Sequence, residues 1–279
     1  MNFLRLTLLA FGLAAVFPPS GANATEQAAP ESVARAAAQY AALEKAEIAK
    51  LSKVLDELIA DPAFIAPFKE RNREKLLAAA RPRFNKLKTT QGITHWYFLD
   101  PEPARTCFLR VHQPATFGDV VGRATFSQAI ATKEIGAGKE LGKTAFALRV
   151  VKPIKSGGAV IGYMELGEEI GEFLVQMRKQ TGDDFALLVD KKRVDRAELA
   201  KVAGEDRWDE RPDVVLIDST FWNEKLLNLP TTFDKLPDGG ARAGEGAAGE
   251  KKYVDGAFPV RDAAGQVVGA LYVRHPLPK

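Results

Sequence analysis

Between Glu31 and about Ala60 the apolar residues Tyr40, Leu43, Ile48, Leu51, Leu55 and Leu58 recur at steps of three, four or five, which puts them on one stripe of a long helix. Ala, Leu, Glu and Lys fill the intervening positions, and all four favour helix. Pro62 and Pro67 interrupt this pattern. A second amphipathic helix then carries Leu76, Leu77, Phe84 and Leu87 until TTQGI ends it. The long stripe has two readings, packing on the domain that follows or a homodimer seam of coiled-coil character. Its spacing is not strictly heptad, which favours packing. Arg71, Arg73, Lys75, Arg81, Arg83 and Lys86 of the second helix read most simply as a solvated face.

After Ile93 the texture changes to short apolar runs separated by Pro, Gly and Asp, as in antiparallel strands. The runs are 94–100, 105–112, 145–154 and 159–167, with a helix from about Ala124 to Lys133 among them. A linking helix over 168–180 leads to a second series at 184–192, 213–220, 251–262 and 266–275. The Gly- and Ala-rich stretch Asp238–Gly249 reads as a mobile loop. Two hairpins share a pattern: VVKPIKSGGAVIGYMEL around Pro153 and Gly162, and GAFPVRDAAGQVVGALYV around Pro259 and Gly269. In each, a strand ends in apolar-x-Pro-apolar, a polar turn follows, and the return strand reads apolar-apolar-Gly. The expectation is an α+β chain of two related modules fed by a long helix. Its divisions are a leader at 1–24, long helices at 25–92, a first module at 93–180 and a second at 181–279.

The leader decides the compartment. Met1–Arg5 is a short basic start, Leu6–Phe17 an apolar core and Ala22-Asn23-Ala24 a small-residue cleavage site, the order of a secretory signal peptide. Leu6–Phe17 falls short of the ~20 residues of a spanning helix. The expected location is therefore periplasmic. The net charge of +3, or +2 without Arg5, gives no reason to expect a nucleic-acid partner. Cys107 is the only cysteine, so no internal disulfide is available, and C-x-x-C-H for haem is missing. The segment GAGKELGKT at 136–144 resembles a phosphate loop, but Ala137 stands where the first glycine belongs. It reads instead as a glycine-rich turn followed by a short strand.

The segments GITHWYF, CFLRVHQPATFGDVVGR, ELGKTAFALRVVKPI, IGYMELGEEI and DGAFPVRDAAGQVVGALYV resemble the double Cache sensory domains of bacterial extracytoplasmic receptors. The class in question is attached to sensor kinases, chemotaxis receptors and diguanylate cyclases. The resemblance runs from Glu31 to His275, with Thr94–Glu169 its specific part; the second half matches mainly in pattern. It implies a long helix beside two PAS-like modules, with a small-molecule pocket in the first, membrane-distal module. Those receptors continue into a membrane helix and a signalling domain, whereas this sequence stops at Lys279. The expectation is a sensor that acts through a separate membrane partner.

Strand parity assembles a candidate pocket, since residues two apart share a face. RTCFLRVH then points Phe108, Arg110 and His112 one way and Cys107, Leu109 and Val111 the other. By the same rule one sheet face gathers His95, Tyr97, Arg110, His112, Arg149, Tyr163 and Glu165. The opposite face takes Trp96, Phe98, Leu109, Val111, Phe146, Leu148, Val150 and Met164. The polar face has plain readings: a surface left in water, or an ion pair of Arg110 or Arg149 with Glu165. Yet tyrosine, histidine and arginine suit a half-buried pocket, where a guanidinium fork meets a carboxylate and rigid donors orient it. The expected ligand is a small organic anion such as a carboxylate. Arg110 and Arg149 are the anchors, Tyr97, His112 and Tyr163 the orienting donors, Glu165 a member of the face, and Arg123 the residue closing it from above.

Catalysis finds little support, because G-x-S-x-G, H-E-x-x-H and C-x-x-C are all missing. A metal held by His95, His112 and Glu165 lacks ligand spacing, so no cofactor is expected. Cys107 reads as a small core residue facing away from His112, and His275 as a surface residue. Three functions remain open: a ligand-binding sensory protein, an envelope scaffold whose pocket has decayed, and a hydrolase.

Overall fold

The computed structural model describes residues 24–141, 146–199, 208–221, 233, 235–248 and 251–277. The signal-peptide reading of 1–24 lies outside them, apart from Ala24. The described residues open with α1 (Ala24–Ala60), α2 (Pro62–Lys69) and α3 (Arg73–Gln91). Pro62 does not simply break the helix. It occupies the first turn of α2, where no N–H is needed, and Asp61 caps that helix by accepting the Ala63 N–H at 2.8 Å. Asn72 caps α3 through the Lys75 N–H at 3.0 Å.

Two five-stranded antiparallel sheets follow. The first comprises β1 (His95–Leu99), β2 (Cys107–Arg110), β3 (Gly136–Leu141), β4 (Phe146–Ser156) and β5 (Ala159–Glu169), in the order β2-β1-β5-β4-β3, with α4 (Ala124–Thr132) between β2 and β3 in sequence. The linker α5 (Gly171–Thr181) leads to β6 (Asp184–Asp190), the short α6 (Arg196–Leu199), β7 (Val214–Ser219), β8 (Ala241–Ala248), β9 (Lys251–Arg261) and β10 (Val267–Pro276). Their order, β7-β6-β10-β9-β8, repeats the first sheet strand for strand. The fold is thus α+β, a long helix beside two PAS-like modules.

The hairpin signature has a structural cause. Pro153 pairs with Tyr163 and Pro259 with Ala270, so in both modules the proline faces the residue after the shared glycine. Both ladders slip immediately before that glycine, bulging at Ile161 and at Val268. Both prolines also lie beyond the reach of the neighbouring edge strand, since β3 starts opposite Val151 and β8 opposite Ala257. A missing N–H costs no ladder bond there.

The helices cover one face of the first sheet. Leu51, Leu55 and Leu58 of α1 are buried with Trp96, Phe98, Leu109, Phe146, Leu148, Val150 and Met164, the apolar face that alternation predicts. Tyr40 sits against Phe173 of α5 and Phe258 of β9, ring centroids 6.3 and 5.5 Å away. The α1 stripe therefore packs within the chain and joins both modules, with Ile48 only partly buried.

Three expectations are corrected. Asp238–Gly249 contains a strand, β8, rather than a loop throughout, and the glycines Gly240 before it and Gly256 on its neighbour β9 have a reason: a Cβ on either would lie 2.4 or 2.2 Å from a Val33 methyl of α1. The glycine-rich segment at 136 is likewise already strand, pairing Gly136 with Val151; 142–145 lie outside the described residues. In β2 the parity breaks, because the ladder steps from Phe98–Leu109 to Leu99–Cys107 and leaves Phe108 as the bulge. Phe108 turns to the helical side, edge-on to Phe68 at 5.4 Å, while Cys107 joins Tyr97 and Tyr163 on the other face.

Candidate functional site

The polar face of the first sheet is built row by row. Tyr97 of β1 stands between Arg110 of β2 and Glu165 of β5. In the next row His95 is opposite Gly167, which is opposite Arg149 of β4. Gly167 has no side chain, and the Arg149 Nη1 lies only 3.5 Å from where its Cβ would be. Arg149 thereby reaches across to donate to Glu165 Oε1 at 2.7 Å. Arg123, at the N-cap of α4, donates to the other oxygen at 2.5 Å.

Three guanidiniums surround the Tyr97 ring, with Arg123, Arg110 and Arg149 at 4.8, 5.4 and 5.7 Å from its centroid, within the ~6 Å of a cation–π contact. His95 lies parallel to Tyr97, and His112 meets the Tyr97 and His95 rings edge-on, each at 4.8 Å. Six of the seven predicted residues, Tyr97, Arg110, His112, Arg123, Arg149 and Glu165, therefore form one cluster. Tyr163 shares the face but stands a row away, opposite Leu99 and edge-on to Phe126 at 5.2 Å, in an apolar group with Cys107.

Two acids complete the cluster. Asp119, on the segment that folds back along β2, accepts a bidentate pair from Arg110 at 2.6 and 2.7 Å, and the Thr116 carbonyl takes a further Arg110 bond at 2.8 Å. The backbone bonds Cys107 N to Asp119 O and Gly118 N to Cys107 O hold that segment in place. Glu140 of β3 accepts the Thr125 N–H through Oε1 at 2.8 Å. Its Oε2 lies 3.4 Å from Arg123 Nε and 3.7 Å from Arg149 Nε, and none of these three buried atoms makes a hydrogen bond. Neither acid was legible: Asp119 sits in an aperiodic segment, and Glu140 in one read as a glycine-rich turn.

The environment sets the protonation states. Burial opposes ionisation of Glu165, which is fully enclosed, but the charges and hydrogen bonds of Arg123 and Arg149 outweigh it and hold the carboxyl below its usual range. Burial, with Glu165 nearby, pushes Glu140 up despite the Thr125 bond and the arginines. The Arg110 fork holds Asp119 low. Burial, reinforced by Arg149, lowers His95 to about 2; burial, partly offset by a hydrogen bond with the Trp96 backbone, lowers His112 to about 4. Both rings are neutral at pH 7. Burial drives the Cys107 thiol up to about 12, which makes it a poor nucleophile.

Among the described residues no group of three His, Cys, Asp or Glu is placed to hold a metal. Glu165, expected beside the histidines, is occupied by two arginines. A cavity of about 390 Å³ opens beside the cluster, with Arg123 and Glu140 in its wall. His275 is half-buried rather than on the surface, its Nδ1 2.7 Å from Asp183 Oδ1. No helix among the described residues is long and apolar enough to cross a membrane.

Comparison with known proteins adds the lineage. A family model described as the double sensory domain of two-component sensor kinases matches residues 27–215. Among solved structures, the sensor domain of the Vibrio cholerae histidine kinase DctB superposes with a TM-score of 0.54 at 10% identity, covering 91% of this chain and 100% of that one. The periplasmic domain of Vibrio cholerae LuxQ gives 0.52 at 13% identity, covering 87% and 99%. At such identities these likenesses speak to the fold. No curated protein matches the sequence.

Proposed function

The chain belongs to the family of double sensory domains of two-component sensor kinases, and from that premise we propose that it is a periplasmic, non-catalytic sensory protein whose first module binds a small organic anion. The observation carrying this reading is the gathering of Arg110, Arg123 and Arg149 around Tyr97, with the Nε–H groups of Arg123 and Arg149 buried and unbonded. Buried donors without acceptors are costly, and a ligand carboxylate that displaces Glu140 from between them supplies the acceptors. Arg110 and Arg149 are the proposed anchors, Tyr97 and His112 orient the ligand, and Tyr163 bounds its apolar end. Occupancy is passed to a separate membrane-bound signalling protein. A homodimer through α1 would use the outward face of that helix, because its apolar stripe is enclosed.

Calorimetric titration of the purified protein with mono- and dicarboxylates tests this. At least one acid should bind, and Arg110→Ala should weaken it tenfold or more. Unchanged affinity in that variant removes Arg110 from the site, and silence across the acids removes the anion reading. A second reading, a ligand-free envelope scaffold, draws on the acids already seated on these guanidiniums, Glu165 on two and Asp119 on the third. An envelope partner that co-purifies equally with and without metabolites would favour it.

A further inference from the structure

The cavity of about 390 Å³ lies between the modules, and its size falls in the ~300–1,000 Å³ range of small-molecule sites. One wall is Gly122, Arg123 and Ala124 at the start of α4 together with Glu140 of β3. The other is Arg193, after β6, with Asp262, Ala263 and Val268 of the β9–β10 hairpin. The hairpin is firmly seated: Asp262 Oδ1 accepts the N–H groups of Ala264 and Gln266, both at 2.9 Å. Ala263 donates its N–H to the Lys139 carbonyl at 2.7 Å and accepts from Gln128 Nε2 at 2.8 Å. Arg193 Nη1 is steered by Gln266 Oε1 at 2.9 Å.

The lining is balanced in charge, with two arginines and two acids. A ligand of one sign would meet two like charges in so small a space. Glu140 is only 6% exposed, and its Oε2, 3.4 Å from Arg123 Nε and 3.7 Å from Arg149 Nε, accepts no hydrogen bond, so this wall presents an acceptor in want of an N–H group. At the α4 N-terminus Arg123 gives no side-chain cap and Glu140 Oε1 already takes the Thr125 N–H at 2.8 Å, so the place for an acid is Arg193 on the opposite wall.

We infer that the junction between the modules is a second small-molecule site, taking a compact zwitterion whose ammonium meets Glu140 and Asp262 and whose acid meets Arg193. The site goes beyond the anion site proposed for the first module, although Arg123 and Glu140 border both. Because each module supplies half the wall, an occupant adds to the Ala263 bonds that already hold the hairpin of the second module against β3 and α4 of the first. Binding is thereby coupled to the relative placement of the two sheets.

Glycine, β-alanine and 4-aminobutyrate span a range of charge separations and serve as probes, with butyrate and n-butylamine as single-charge controls. Calorimetry on the purified protein should show at least one zwitterion binding, with tenfold or greater preference over both controls. Arg193→Ala, at an exposed position outside the first-module cluster, and Glu140→Gln should each lower that affinity tenfold or more, while Arg110→Ala leaves it unchanged. No binding of any of the three zwitterions, full affinity in Arg193→Ala, or loss in Arg110→Ala alone would overturn the inference. Carboxylate binding that depends on Arg110 and ignores Arg193 would leave the proposed anion site standing by itself.

Discussion

Glu165→Gln removes one negative charge from the centre of the cluster while keeping the side chain's shape. The carboxylate is fully buried; the Arg149 side chain is 5% exposed and that of Arg123 22%. The glutamine keeps one acceptor oxygen, but the anion left to both guanidiniums is Glu140, at 3.4 and 3.7 Å and outside hydrogen-bond geometry. Removing one partner of a buried pair costs about 3–5 kcal/mol, chiefly because the other charge stays enclosed. At ~2–4 °C per kcal/mol for a chain of this size, Tm should fall by roughly 10 °C. Urea unfolding at pH 7 should show the same loss as a lower midpoint with an unchanged slope. The double variant Arg149→Met/Glu165→Leu should recover most of it, since apolar groups then fill the space and Arg123 keeps Glu140. The pH dependence has a defined sign. The folded state holds Glu165 below its unfolded value of ~4.3, so its stabilisation is complete above that pH and is lost as pH falls through the folded value. Parent and variant should therefore converge in acid. A loss under about 1 kcal/mol at pH 7 would refute the claim that mutual charge pairing holds this cluster.

Glu168 of β5 should act with the opposite sign: burial, with Glu47 nearby, pushes it up to about 7 although Lys50 donates to it at 2.9 Å. The folded state keeps a proton that the unfolded chain releases, so stability falls as pH rises from ~4.5 to about 7; relative to Glu168→Gln the parent should lose roughly 2–3 kcal/mol between pH 5 and 8, and parallel curves would contradict this. His95 and His112 should show flat ring shifts by NMR from pH 8 down to 5, as expected for values near 2 and 4, and a midpoint near 6.5 for either would show it solvated. His112→Asn should flatten the rise in stability that its low folded value produces from about pH 4 to 6.5. Gly162→Ala and Gly269→Ala should each cost about 1–3 kcal/mol in urea unfolding, because the added carbon falls 2.5 Å from Phe68 Cζ and 2.1 Å from the Leu188 carbonyl oxygen; losses within 0.5 kcal/mol would mean that the bulges relax.

What the sequence revealed and what it hid divide along a physical line. Alternation on β1, β4 and β5 correctly separated Trp96, Phe98, Leu148, Val150 and Met164 from His95, Tyr97, Arg149 and Glu165, because a regular ladder preserves its two-residue period. The same rule failed at Cys107 and Phe108, where one bulged residue exchanges the faces and no local residue type announces it. Asp119 and Glu140 escaped notice for a different reason, since each acts through a neighbouring element that its own segment gives no periodic signal of meeting. Glu140 meets Thr125 and Arg149, and its neighbouring glycines suggest a turn when read alone. β8 was hidden likewise, as Gly240 before it and Gly256 on its partner strand β9 answer to Val33 of α1, far away along the chain.

The repeat offers a way to see how the polar cluster came to lie in one module. Counting from the shared proline and glycine, Arg149 corresponds to Asp255, Glu165 to Tyr272 and Gly167 to Arg274. Both modules thus place a buried ion pair on the strands flanking the hairpin, with the signs exchanged between strands. In the first module the cation stands on β4 and reaches diagonally past Gly167 to Glu165. In the second, Arg274 stands on β10 directly opposite Asp255, with Nε 3.2 Å from Oδ1, and fills the space that Gly167 leaves open. Its guanidinium is covered by Phe221, Tyr253 and Tyr272 at 4.9, 5.2 and 5.9 Å. A charge in the interior must be paired wherever it sits; the diagonal pair beside a glycine leaves the donor Arg149 Nε without an acceptor, whereas the direct pair leaves the acceptor Asp255 Oδ2 without a donor. One backbone plan therefore yields a directly opposed pair with one unfilled acceptor, Asp255 Oδ2, in the second module, and a diagonal pair with unfilled donors, Arg123 Nε and Arg149 Nε, in the first.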